Sequence, residues 1–244
     1  MNTRHIISSH DFVEILNNIK KTDIHISDTL AKKGKIAVID EITYSSITKR
    51  TNYDKLGDFV VIDTETTGLS ALKEEIVEIC ALRFRNFEPV ECFTTLCKPS
   101  KPISPGAAAV NGISEDMVYD KPHFRAVVED LNRFIGKDTI VGQNLPFDLK
   151  FIVNQGFDLL SEKRKYYDTL MLAKKKLKAR RKKYDRELHE WIYFDDFDYD
   201  VDNYKLGTLC DYYGIPLVNA HRALADCYAT GLLFEALAYA LIYE

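Results

Sequence analysis

The stretch "FVVIDTETTGL" (residues 59–69) constrains the fold more than any other part of the chain. Val60, Val61 and Ile62 suit a strand covered on both faces, as in a sheet layered between helices. The apolar run ends in Asp63 and Glu65. Side chains two apart on a strand share a face, so both carboxylates point the same way at the end of a buried element. Repulsion and desolvation oppose that arrangement unless a positive charge fills the space beside them.

The rest of the pattern supplies the layers. "EIVEICALRFRN" and "PVECFTTLCKP" read as second and third strands, and three strands in close succession predict an antiparallel meander. "SPGAAAVNGISEDMV" mixes turn residues with short helical pieces, "HFRAVVEDLNRFIG" is an amphipathic helix, and "DTIVGQN" is a short buried strand. "PFDLKFIVNQGF" predicts a helix ended by Gly156, and "KLGTLCDYYGI" one closed by Gly214. "YYDTLMLAKKKLKARRKKYDRELHEWI" begins a long helical pattern, with Asp168 as its cap. "HRALADCYATGLLFEALAYALI" is the last helix. The sum is an α/β chain, a mixed sheet flanked by helices. Residues 1–57 read as a short, mainly helical accessory segment, with Asp11 and Glu14 forming a capping box, and residues 58–244 as the main domain.

Bulk properties narrow the function. A net charge of -4 gives no overall basic signal, so any nucleic-acid contact has to be local. Five cysteines, odd in number and without a CxxC pair, argue against a disulfide framework or a zinc site and for reduced thiols inside a cell. The N-terminus lacks the basic start and apolar core of a signal peptide. "YATGLLFEALAYALIY" is short for a bilayer and carries Glu235, which predicts a buried helix. A cytoplasmic protein without a membrane anchor is the expectation.

Two further segments carry the same chemistry as Asp63 and Glu65. Asp148, in "GQNLPFD", follows a buried strand and opens a helix, and "HRALAD" sets His221 five residues before Asp226. In a regular helix those two would diverge by roughly 140°, so they converge only if His221 precedes the helix and Asp226 lies within it. Four carboxylates without basic partners are tolerable when divalent cations sit between them. Mg²⁺ is held by a few carboxylates plus substrate phosphate. Two such ions activate a water and stabilise a leaving oxygen in phosphoryl displacement. A histidine is then the natural general base.

"DTETTGL", "NLPFD" and "HRALAD", in that order, resemble the three motifs of the DEDDh 3′–5′ exonuclease family, which includes the epsilon proofreading subunit of bacterial DNA polymerase III. The similarity runs over roughly residues 58–243, with "DTLMLA" and "KLGTLCDYYGI" also matching. It implies a ribonuclease H-like core and two divalent cations, Mg²⁺ or Mn²⁺. Asp63, Glu65 and Asp226 would hold the first, Asp63 would bridge to the second, and Asp148 would support that second ion. The resemblance makes His221 the general base. It places Thr66 and Leu69 at the terminal nucleotide, Leu69 as an apolar wedge, with Gln143, Asn144 and Phe147 lining the same pocket. Gln143 and Asn111 stand where the family often has histidine, near substrate.

The implied activity is hydrolysis of single-stranded or frayed DNA from its 3′ end to nucleoside 5′-monophosphates, in proofreading or repair. No polymerase portion is evident in the sequence, so proofreading implies a DNA polymerase subunit as partner. The same chemistry on RNA is an alternative, since nothing in these motifs reads the 2′-hydroxyl. A non-catalytic nucleic-acid-binding module would lack at least one of the five residues, and all five are present. Relative to the family, about twenty residues (roughly 176–200) are inserted. They overlap the basic run "KKKLKARRKK" (174–183), ordinarily a solvated helix face but also suited to tracking phosphates. The acidic "DDFDYDVD" that follows could pair with it, and Trp191, the sole tryptophan, is expected to be buried against a neighbour.

Overall fold

The computed structural model describes residues 17–21, 42–157, 159, 163–194 and 198–244. The capping box at Asp11 and Glu14 lies outside them. Strands β2 (Phe59–Thr66), β3 (Ile76–Arg85) and β4 (Glu88–Leu96) form the expected antiparallel meander. Strand β5 (Ile140–Gly142) then joins β2 in parallel, and β6 (Tyr166–Asp168) joins β5 in parallel. At the far edge β1 (Lys20–Lys21) lies parallel to β4, giving the order β1-β4-β3-β2-β5-β6. Because β2, β5 and β6 run in the same direction, the chain leaves all three at one edge, where open α/β sheets place their ligands.

Helices cover both faces. These are α1 (Pro105–Asn111), α2 (Glu115–Val118), α3 (Phe124–Ile135), α4 (Pro146–Asn154), α5 (Thr169–Lys176), α6 (Leu206–Tyr213) and α7 (Ala223–Tyr243). Strict alternation along β2 sends Phe59 and Val61 into a core with α5, α6 and α7, while Val60 and Ile62 enter a second core with α3 and α4. Helix α7 crosses its face closely: a Cβ on Gly231 would lie 2.1 Å from the Phe84 ring. It is the one helix among the described residues long and apolar enough to cross a membrane, and 72% of that stretch is buried inside the protein. Glu235 is tolerated within it because the Tyr53 hydroxyl donates to its carboxylate at 3.0 Å. That contact ties the 3₁₀ turn Tyr53–Leu56 to the core, where Ile47 and Leu56 are also buried. All five cysteines are free and buried.

Two elements differ from the sequence expectation: Lys20–Lys21, within the segment read as mainly helical, form the edge strand β1, and the second begins at Tyr166. The long helix read from Tyr166 onward is a strand, a helix of two turns and a β-hairpin. Tyr166 and Tyr167 extend the sheet beside β5, and the Asp168 carboxylate then caps α5 by accepting from the Leu170 amide. Helix α5 stops at Lys176, and β7 (Lys182–Asp185) pairs with β8 (Glu190–Tyr193). "EWIYF" is a strand-forming sequence, and the cross-strand Tyr184–Trp191 pair, with ring centroids 5.3 Å apart, holds the register. Trp191 is not buried: it is 53% exposed.

Candidate active site

Alternation on β2 fixes the first part of the site. Asp63 and Glu65 continue the face of Phe59 and Val61, so they face the side covered by α7, which carries Asp226 in its first turn. Ligand oxygens of Asp63, Glu65 and Asp226 all lie within 4.8 Å of one another. Thr64, between the two acids, belongs to the opposite face, where α4 begins. Asp148 in the first turn of α4 accepts from both the Thr64 amide (2.9 Å) and the Thr64 hydroxyl (2.7 Å) through its Oδ1. Two residues of one strand thus reach one helix while the residue between them anchors the other.

His221 precedes α7, as the five-residue spacing requires, in a left-handed conformation (φ 66°) with an exposed side chain. Its amide donates to Asp226 Oδ2 at 3.1 Å. Asp226 Oδ1, by contrast, is buried and has no hydrogen-bond partner among the described residues. An orphaned carboxylate oxygen beside two further carboxylates is a donor set suited to a hard cation.

The electrostatics point the same way. Burial first, and then the charges of Asp148, Asp226, Glu65 and Glu78, hold the Asp63 carboxyl well above its ordinary range. Burial and the neighbouring Asp226 and Glu78 charges push Glu65 up to about 8, although a hydrogen bond from the Asn111 side chain opposes the shift. Burial raises Asp148 to about 7 against its Thr64 bonds, and Asp226 to about 6 against the amide and charge of His221. Among the described residues no lysine or arginine forms an ion pair with any of the four. These are carboxylates with a deficit of positive charge.

The sequence places the chain among known proteins of the same chemistry. The RNase_T exonuclease model matches residues 60–234. The chain belongs to this exonuclease family. DNA polymerase III PolC-type from Oceanobacillus iheyensis is 34% identical over 187 residues, which is 75% of this chain and 12% of that protein. The Bacillus subtilis (strain 168) DNA polymerase III PolC-type is 32% identical over 179 residues, covering 72% of this chain and 11% of its own length. This exonuclease-family chain thus spans about a tenth of the curated relatives it matches. Among solved structures, E. coli Exonuclease I in complex with a dT13 oligonucleotide has the same fold, with TM-score 0.56, 22% identity, and coverage of 74% of this chain and 40% of that one.

The remaining residues named from the exonuclease motifs take varied positions. Thr66 is buried, its hydroxyl donating to the Gly68 carbonyl at 2.7 Å, and this turn leaves Leu69 88% exposed. Phe147 is half-buried and packs on Phe151 with centroids 5.0 Å apart. Asn144 is exposed in a left-handed conformation (φ 58°), its amide donating to Asp168 at 2.9 Å. Gln143 uses both ends of its side-chain amide within the protein. Its Nε2 donates to the Tyr204 carbonyl at 2.8 Å and its Oε1 accepts from the Thr169 hydroxyl at 2.5 Å.

Two residues were not found by motif reading. Glu78 pairs across the ladder with Glu65 and is buried. Arg222 neutralises it with two bonds, at 3.1 and 2.9 Å, and the Ala223 amide at the start of α7 adds a third at 3.2 Å. This clamp fixes the N-terminus of the helix that bears Asp226. A charged residue within "IVEICAL" was a visible signal of it. Asn111, expected near substrate, bonds the Glu65 carboxylate and donates to the Thr66 carbonyl at 3.4 Å.

Proposed function

We propose that this chain is a divalent-cation-dependent 3′–5′ exonuclease that hydrolyses the terminal phosphodiester of single-stranded or frayed DNA, releasing nucleoside 5′-monophosphates. The observation that carries the reading is the convergence of Asp63, Glu65 and Asp226 carboxylate oxygens within 4.8 Å of one another. Asp63, Glu65 and Asp226 would hold one cation, and Asp63 with Asp148 a second, Mg²⁺ or Mn²⁺ in each case. Such ions, when bound, polarise the scissile phosphate and lower the pKa of the attacking water.

The protein's own groups do the rest. His221, held beside Asp226 through its amide, accepts the proton of the attacking water. Asp148, which would support the second cation, is oriented by the two Thr64 bonds to its Oδ1. The Glu78–Arg222 clamp keeps the start of α7 against the sheet so that Asp226 stays level with Asp63. Leu69, exposed at the turn after β2, is the wedge against the last base, and Thr66, Asn144 and Phe147 shape the terminal-nucleotide pocket. Occurrence of the similar stretch within DNA polymerase III chains favours DNA over RNA, a polymerase subunit as partner, a role in proofreading or repair, and a cytoplasmic setting.

Digestion of matched 3′-labelled and 5′-labelled DNA and RNA oligonucleotides, with and without Mg²⁺ or Mn²⁺, tests this. The expected result is cation-dependent loss of the 3′ label as mononucleotide, faster on DNA, and abolished in the Asp63→Ala/Glu65→Ala variant. Digestion by that variant at the parental rate would overturn the site.

A further inference from the structure

The hairpin β7–β8 takes no part in the site described above, and its composition is unlike the rest of the surface. Residues 174–194 contain nine lysines and arginines against three acids in a chain whose net charge is -4. Register sorts them by face. Lys182 stands opposite Tyr193, and Tyr184 opposite Trp191. Facing pairs share a side of the ribbon, as do residues two apart, so one face presents Lys182, Tyr184, Trp191 and Tyr193 together. Arg180, just before β7, extends it. Its guanidinium lies over Tyr193 at 4.8 Å, and the Lys182 ammonium lies over Trp191 at 4.7 Å. The three rings remain 41–53% exposed. The other face carries Lys183, Asp185, Glu190 and Ile192, a mixed and less aromatic set.

A two-stranded ribbon of this size is marginal alone in water, and its large rings bury little against the protein. Two acids of the block that follows are engaged at the root of the hairpin. Asp198 pairs with the Lys178 ammonium at 2.7 Å and Asp200 accepts from the Lys178 amide at 2.7 Å, so both bind the hairpin stem. The stem is also joined to the active-site edge. The Ala179 amide donates to the Tyr204 hydroxyl at 3.0 Å, that hydroxyl donates to the Leu177 carbonyl at 2.8 Å, and the Tyr204 carbonyl accepts from Gln143. Gln143 immediately follows β5, on the segment that leads to Asp148.

We propose that the Arg180–Lys182–Tyr184–Trp191–Tyr193 face is a stacking platform for single-stranded DNA, gripping the strand upstream of the 3′ end while the terminus lies at the carboxylates. Rings offer their faces to successive bases and the interleaved cations meet the phosphates, a combination that binds any sequence and weakens with salt. The idea rests on the nuclease reading for the identity of its ligand. Its test is independent of catalysis.

Trp191 is the only tryptophan in the chain, so its fluorescence reports on this face alone. The Asp63→Asn/Glu65→Gln chain in EDTA, titrated with a twenty-nucleotide oligo-dT, should show quenching that saturates with binding and weakens with added salt. Adding either Tyr184→Ala or Tyr193→Ala should weaken binding roughly five- to a hundredfold, while Trp191→Phe should keep it within about threefold, by ring-stacking strengths. In the active chain, the two tyrosine substitutions should lower kcat/KM on the twenty-mer and leave a trinucleotide unaffected. Oligo-dT binding without a change in Trp191 emission, or unchanged affinity after loss of both tyrosines, would overturn the proposal, as would a hairpin that binds a protein and no oligonucleotide. A parent that binds in this way yet hydrolyses nothing would sustain the platform and refute the nuclease reading instead.

Discussion

At the scale of single residues, the site works by leaving negative charge uncompensated in some places and compensating it fully in others. Glu65 and Glu78 lie opposite each other in the β2–β3 ladder, yet only Glu78 has a guanidinium. Like charges so placed repel. Arg222→Ala should therefore cost about 1–3 kcal/mol in urea unfolding, the range for stranding a buried acceptor whose partner is half-exposed. An unchanged midpoint would show the clamp to be idle. His221 offers a different test. It is exposed, with only its amide tied to Asp226. His221→Ala should slow hydrolysis by roughly 10²–10⁴ with little change in stability, as loss of a general base does. An undiminished rate near neutral pH would remove it from that role. Sequence made the four acids and His221 legible because charge at the end of an apolar run needs an explanation. Thr64 gave no such signal: a neutral hydroxyl fits a strand end without comment, and only the folded chain shows that it bonds Asp148, and that Asn111, singled out only as a position near substrate, bonds Glu65.

Among the elements, the strands and helices whose periodicity is set by two-sided burial were readable. β2 to β5, α3, α4, α6 and α7 all fall where alternation or helical spacing puts them. The segment from Tyr166 to Tyr193 was not. Its lysines and arginines are good helix formers, and from residue 178 to 193 no residue is buried, so no buried face betrayed the change of period. What decides it is tertiary: Tyr166 and Tyr167 are claimed by the sheet edge, and the hairpin closes through cross-strand rings rather than through a core. Helix α7 gives a prediction at this scale. Gly231 permits its approach to Phe84, so Gly231→Ala should destabilise the protein by about 1–3 kcal/mol through overpacking, seen as a lower urea midpoint. Equal stability would mean that the helix can lift from the sheet at no cost.

For the whole molecule, the same carboxylates couple stability to pH and to metal. Glu65, Asp148 and Asp226 are raised from 4.5, 3.8 and 3.8 to about 8, 7 and 6, and Asp63 is raised as well. Across the interval between those values the native state holds protons that the unfolded chain has released. Without cations, stability therefore falls as pH rises from the ordinary carboxylate range toward 8. Relative to the Asp63→Asn/Glu65→Gln variant, the parent in EDTA should lose melting temperature between about pH 5 and pH 8, and Mg²⁺ should restore it most at the upper end. Parallel profiles for the two proteins, with no response to Mg²⁺, would contradict this. The most direct measurement is anomalous diffraction from crystals of the parent chain soaked in MnCl₂ with a nucleoside 5′-monophosphate. Manganese peaks should stand between the Asp63, Glu65, Asp148 and Asp226 oxygens, and an ordered product with no manganese among them would contradict the account.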